Sequence, residues 1–310
     1  MGSFIEYEAK VRWGRFIDVA PEVRARFVNE INLFHPIAPI QTTNSEFFFS
    51  VKEEKDISYI SIKTEVDRTN LGDKPIESFG NLLDETIVRR LKDFFFAINL
   101  AYPGHLHVFN SFLYRCGVPV CSFSYSTGTS GMAYERCRWL PFEDLTIKQC
   151  WDWLTTKTSF LSYISRTPID RALFALTYES VANDDLDIFY VLLGIEALYN
   201  DGSNREESIS AQLKRKVQAV LGPLPQAALS EMNKMYGVRS ALVHGAADIF
   251  KCWPSEEYSM TEYEKIGKDR DHILIATGIL LASIQNFIKA NANELIETTT
   301  VELKQHGTKI

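Results

Sequence analysis

Apolar positions in the first 145 residues follow two different periods. PEVRARFVNEI (21–31) sets Val23, Phe27 and Ile31 at helical spacing, with Pro21 in the first turn, where proline is tolerated. EFFFSVK (46–52) and ISYISIKTE (57–65) are β-branched and aromatic runs parted by the charged turn EEKD, which predicts a hairpin. NLLDETIVRRLKDFFFAINLAY (81–102) predicts a long amphipathic helix stopped by Pro103-Gly104. HLHVFNSFLYR (105–115), VPVCSFSYS (118–126) and MAYERCRWL (132–140) read as three further strands, with STGTSG (126–131) as a flexible hairpin tip. Phe47 to Phe49 read as core rather than as a platform for stacking bases.

Beyond Pro141 the strand signal stops. Helical periodicity runs through LTIKQCWDWLTTKT (145–158), PIDRALFALTYESVA (168–182), EESISAQLKRKVQAVLG (206–222), PQAALSEMNKMYGVRSALVHG (225–245) and HILIATGILLASIQNFIKANANEL (272–295). LDIFYVLLGIEALYN (186–200) is apolar nearly all round, as a helix buried on most sides should be. The fold class expected is α+β: an N-terminal mixed α/β domain (1–145), then an all-α helical bundle (146–297) of about five helices, then a tail (298–310). Residues 246–271 read as a long aromatic and charged connection.

Of the 310 residues, 45% are apolar and 24% charged, which excludes a largely disordered or collagen-like chain. No apolar run approaches the roughly 18 residues of a membrane span. The longest, Ile273 to Ile288, is broken by Ser283, Gln285 and Asn286. MGSFIEYEAK lacks the apolar stretch of a secretory signal, and Glu6 stands where the myristoylation pattern wants Ser or Thr. The expected location is the cytoplasm, with no membrane partner. The net charge of −7 restricts any nucleic-acid contact to a local cationic site on an acidic body. An odd number of cysteines, five, with no Cys-x-x-Cys pair, fits reduced thiols.

STGTSG lacks the Lys-Ser/Thr pair of a phosphate-binding loop, and there is no Gly-x-Ser-x-Gly elbow or His-Glu-x-x-His. His105 and His107 share a strand face at i, i+2, but no third ligand accompanies them, so no metal or other cofactor is expected. The remaining chemistry is in Arg239-Ser240-Ala241-Leu242-Val243-His244-Gly245. Arg239 and His244 lie about 140° apart on an ideal helix. The reach of arginine, and a backbone leaving the helix near Gly245, let both converge on one groove. A cation near a helix C-terminus is also what the macrodipole favours. The apolar helix upstream carries one acid, Glu196, which needs a partner. Arg239, Arg215 and His244 are the options; the alternative is that Glu196 lies on a solvated edge of the bundle.

In order, IDRALFALTYES, DIFYVLLGIEALYN, LKRKVQAVLG and MYGVRSALVHG resemble the HEPN superfamily, most closely its Apea-like branch. The resemblance covers residues 150–295. It implies an all-α bundle that usually homodimerises with its motifs facing each other. Many members are metal-independent endoribonucleases of antiviral defence or toxin systems; others are non-catalytic modules binding RNA, a nucleotide or a protein partner. Carried over, Arg239 and His244 match the catalytic pair, with Glu196, Arg215, Ser240 and Tyr236 in supporting positions. Where the superfamily often has Asn, Asp or His after the arginine, this chain has Ser240. The implied reaction uses the RNA 2′-OH as nucleophile, so DNA should not be cut.

Overall fold

The computed structural model describes residues 4–14, 19–40, 43–53, 58–67, 80–162, 164–179, 187–199, 208–244 and 260–295. The first strand, β1 (Phe4–Gly14), alternates strictly: Ile5, Tyr7, Ala9, Val11 and Trp13 turn inward, and Glu6, Glu8, Lys10 and Arg12 turn outward. Helix α1 (Pro21–Asn32) buries Phe27 and Ile31, and Phe27 packs on Trp13 with ring centroids 5.4 Å apart. Then come β2 (Ile37–Ile40), β3 (Thr43–Glu53) and β4 (Ser58–Asp67). β3 and β4 pair antiparallel, as the hairpin pattern predicts; residues 54–57 of its turn lie outside the described residues. Helix α2 (Gly80–Ala101) leads to β5 (His107–Arg115) and β6 (Val118–Tyr125). Cys116 (φ 50°) and Gly117 (φ 80°) close the β5–β6 hairpin, since a two-residue turn of this hand needs positive φ at both positions.

The six strands form one antiparallel sheet in the order β2-β3-β4-β1-β5-β6. The central strand is the N-terminal one. The outermost strands carry Pro39 and Pro119. One face of the sheet rests on α1 and α2, where Phe94 of α2 meets Phe47 at 4.8 Å and Phe49 at 5.7 Å between centroids. Among the described residues no helix packs on the other face, and Phe48 lies on it: of Phe47 to Phe49, two are core and one is not.

Three local expectations are corrected. MAYERCRWL is not a strand and STGTSG is not a flexible tip: from Gly128 on they form helix α3 (Gly128–Arg136) and the turn after it, with Gly128, Thr129, Ser130 and Gly131 buried. Small residues there let α3 press against the last helix, where a Cβ on Gly278 would stand 3.0 Å from Cys137 Sγ. His105 precedes β5 instead of sharing its face with His107; its Nδ1 lies 3.1 Å from the Pro103 carbonyl oxygen.

Among the described residues, six α-helices follow: α4 (Ile147–Lys157), α5 (Pro168–Glu179), α6 (Asp187–Tyr199), α7 (Ile209–Leu221), α8 (Gln226–Val243) and α9 (Met260–Lys289). The last begins at residue 260, so part of the expected 246–271 connection is helix; residues 245–259 lie outside the described residues, as do 296–310. Its stretch Arg270–Lys289 is long and apolar enough to cross a membrane, with mean hydropathy 1.4. Its most apolar part is 83% buried inside the protein, as a core helix should be.

One hydrophobic cluster runs from the sheet through α2 into the helices around α9. Gln285 of α9 is 1% exposed; its amide donates to the Leu100 carbonyl (2.7 Å), and its oxygen accepts from the Glu143 N–H (3.0 Å). Cys116, Cys121, Cys137 and Cys150 are free thiols, and Cys252 lies outside the described residues.

Candidate functional site

Helix α8 follows Gly222 (φ 79°), which ends α7, and Pro225, which precedes its first turn. Ala228, Met232 and Met235 recur on one stripe and are buried. Tyr236 is half-buried beside that stripe, and Arg239 stands one turn further at i+3. Helix α6 packs on α5, α7, α8 and α9, so its Ile188, Val191, Leu192, Ile195, Leu198 and Tyr199 are buried. Glu196 lies where α6 meets α8.

Of the three options for its partner, Glu196 takes Arg239. Arg239 Nη2 donates to Glu196 Oε2 at 3.5 Å, with 36% and 18% of the two side chains exposed. At that length and exposure the pair adds less than about 1 kcal/mol to stability. Its consequence is orientation: a guanidinium tethered through one nitrogen keeps its other donors for a ligand. The Tyr236 hydroxyl is buried without a hydrogen-bond partner among the described residues. Burial, then the charge of Glu196, push this phenol up, and Arg239 only partly opposes them. Tyr236 is therefore a neutral donor at the floor of the pair.

His244 is exposed just past α8, its N–H bonded to the Ser240 carbonyl at 3.0 Å. Among the described residues no contact joins its ring to Arg239. Ser240 is exposed one residue beyond Arg239. Arg215 lies elsewhere, exposed on α7 in a concavity with Ser208, Lys214, Gln218 and Asn233 that contains neither Glu196 nor Arg239. The structure thus gathers Glu196, Tyr236 and Arg239, places His244 and Ser240 at the same helix end, and separates Arg215.

Sequence reading missed a second charged cluster. Arg136, Trp139, Glu231, Lys234, Asp271 and His272 line a concavity of about 540 Å³ between α3, α8 and α9. His272 Nδ1 lies 3.1 Å and Lys234 Nζ 2.5 Å from the Glu231 carboxylate, and Arg136 lies 3.4 Å from Asp271. The Lys234 hydrogen bond holds the Glu231 carboxyl below its usual range against the opposing effect of burial. Acids and bases pair off within the cluster, so it clamps three helices and leaves little charge for a ligand. Glu231 and Lys234 at i, i+3 were the only signal in the sequence.

No protein-family model, no curated protein and no solved structure matches this chain.

Proposed function

We propose that this protein is a HEPN-type, metal-independent endoribonuclease of the cytoplasm, working as a homodimer in antiphage defence or a toxin-type system. The observation that carries the reading is Arg239, half-exposed at the end of α8 and tethered to Glu196, with the exposed ring of His244 one turn on. RNA brings its own nucleophile. The imidazole of His244 takes the proton of the 2′-OH, whose oxygen attacks the adjacent phosphorus. The phosphorus–O5′ bond breaks, and His244 of the second protomer protonates the leaving oxygen. Arg239 holds the phosphate and the charge that builds on it. The products are a 2′,3′-cyclic phosphate and a 5′-OH.

A surface beside the pair suits dimerisation. Leu193 of α6 is 52% exposed, next to the stacked rings of Tyr178 and Tyr190, 4.5 Å apart. An apolar stripe of this kind is covered by self-association in a two-fold dimer.

A second reading has its own support. The charge of Arg239 is already met by Glu196, and among the described residues no contact links Arg239 to His244. That arrangement suits a non-catalytic module in which both residues contact bound RNA, a nucleotide or a protein partner. Incubation of the purified chain with RNA in EDTA separates the two. Cutting that yields cyclic-phosphate ends and falls at least about 100-fold in His244→Ala and Arg239→Ala supports the nuclease. Binding without cutting supports the module.

A further inference from the structure

The open face of the sheet is strongly polarised. Adjacent positions across β3, β4, β1 and β5 follow from the strand register. One row carries Phe48, Lys63, Glu8 and Tyr114, and the next Ser50, Ser61, Lys10 and Phe112. A third carries Lys52, Tyr59 and Arg12, with Phe109 of β5 under the Arg12 guanidinium at 4.9 Å. At the opposite end the sequence of charge reverses: Glu6 stands opposite Glu65, and Glu46 lies one residue beyond the Phe47–Thr64 pair. A chain of net charge −7 therefore concentrates four cations and five aromatic rings on one half of one sheet face, with Glu8 as the sole acid in those three rows.

None of the four cations is in an ion pair among the described residues. Glu8 accepts from Ser61 Oγ at 2.8 Å rather than from a lysine. Lys10 Nζ sits 4.7 Å over the Tyr114 ring, and the Nε of Arg12 is buried with no hydrogen-bond partner among the described residues. Phe48 and Phe112 are 48% and 44% exposed, although the sheet has a fully covered face available for aromatic side chains. Neighbouring strands lie about 4.8 Å apart and same-face residues about 7 Å apart along a strand. The two phenyl rings thus flank a field of cations wider than one base.

We infer that this half of the open sheet face binds a segment of single-stranded RNA, with Phe48 and Phe112 stacking on bases and Lys10, Arg12, Lys52 and Lys63 meeting phosphates. Unpaired cations suit a phosphate chain, and exposed flat rings suit bases that are not stacked in a duplex. The choice of RNA over DNA rests on the ribonuclease reading; affinity for a single strand does not. The sheet would hold the strand while chemistry takes place elsewhere on the protein.

The test is fluorescence anisotropy on the full chain, with labelled RNA and DNA oligonucleotides of about ten nucleotides at low ionic strength. The RNA should bind with an affinity that falls with salt. Phe112→Ala and Phe48→Ser should each weaken it about ten-fold or more. Lys10→Gln and Lys63→Gln should each reduce the slope of log affinity against log salt by about 0.7. An unchanged urea midpoint certifies that each variant is folded. Arg239→Ala reports on the helix-end site alone: lost cutting in that variant, with RNA binding that still falls in the sheet variants, leaves the inference standing. Failure of the parent to bind, or binding indifferent to all four sheet substitutions, overturns it; equal affinity for the DNA oligonucleotide overturns the assignment to RNA and leaves a single-strand site.

Discussion

Asp170 is the buried charge whose role follows most directly from its contacts. It is 0% exposed, yet its Oδ1 accepts from the Ser159 N–H (2.7 Å) and its Oδ2 from the N–H groups of Arg166 (3.0 Å) and Thr167 (2.9 Å). Thr167 Oγ1 accepts in return from the Asp170 N–H at 3.2 Å, and Pro168 occupies the first turn of α5. This is a reciprocal helix cap with aspartate at the third position. Burial alone would raise the carboxyl, but the backbone donors and the Thr167 hydroxyl outweigh it and hold it below the usual range. The sign of the linkage follows. The group stabilises the fold above its unfolded value near about 4, and that stabilisation is lost as pH falls through the lower folded value. Asp170→Ala should lower stability by about 2 kcal/mol at pH 7, because three donors lose their acceptor. Urea melts of parent and variant should converge as the pH drops below about 4. A constant difference across that range would count against the carboxylate as the source.

At the scale of elements, helix propensity and packing disagree at Gly194, in the middle of α6. Alanine is the better helix former by about 1 kcal/mol. A Cβ at this position, however, would stand 2.7 Å from Leu280 Cδ2 and 3.1 Å from Ala175 Cβ, where α6 crosses α9 and α5. Gly194→Ala should therefore destabilise, by about 1–3 kcal/mol, and Gly194→Val by more; a raised urea midpoint would show that α9 gives way freely.

The same conflict between local pattern and packing explains what was legible in the sequence. The helices over 81–102 and 147–157 and the β3–β4 pairing follow from periodicity, because each has one apolar side and one partner layer. The alternation in FIEYEAKVRWG is equally plain and marks the central strand, which the strands expected from the first 145 residues do not include. α3 was illegible as a helix: its Gly128, Gly131 and Ala133 are small because α9 is close, and that contact lies more than a hundred residues away in sequence. In the site, the pairing of Glu196 with Arg239 was among the options the residues offered. The separation of Arg215 was not visible, since it depends on how α7 is rotated against α6. Phe48 was hidden among three phenylalanines of which only the alternation assigns the outward one.

For the whole molecule, the governing fact is that α9 is shared. Its Gln285 bonds to α2, its Lys289 reaches Glu143 at 2.5 Å, and the carbonyl of Ala292 just beyond it accepts from Trp153 Nε1 at 2.7 Å. Tyr199 of α6 donates to Ser283 at 2.6 Å, and α3 lies along the same helix. α9 therefore belongs to both halves at once, and neither half covers it alone. The full chain should unfold in one step, with far-UV circular dichroism and tryptophan fluorescence giving the same midpoint. The fragment 146–295 should lack a cooperative melt and bind hydrophobic dyes, because removing α2 and α3 strips one side of α9. A sharp calorimetric transition in that fragment would show that the helices sustain themselves.

The prolines at the borders of the sheet have one more consequence. β2 is only four residues long and contains Pro39, and β6 begins Val118-Pro119. A stray β-strand seeking to extend the ladder at either rim meets a short run or a residue with fixed φ and no amide proton. The sheet can keep a broad, sticky face uncovered in a crowded cell without being recruited into fibrils, because polymerisation through its rims is discouraged at both ends.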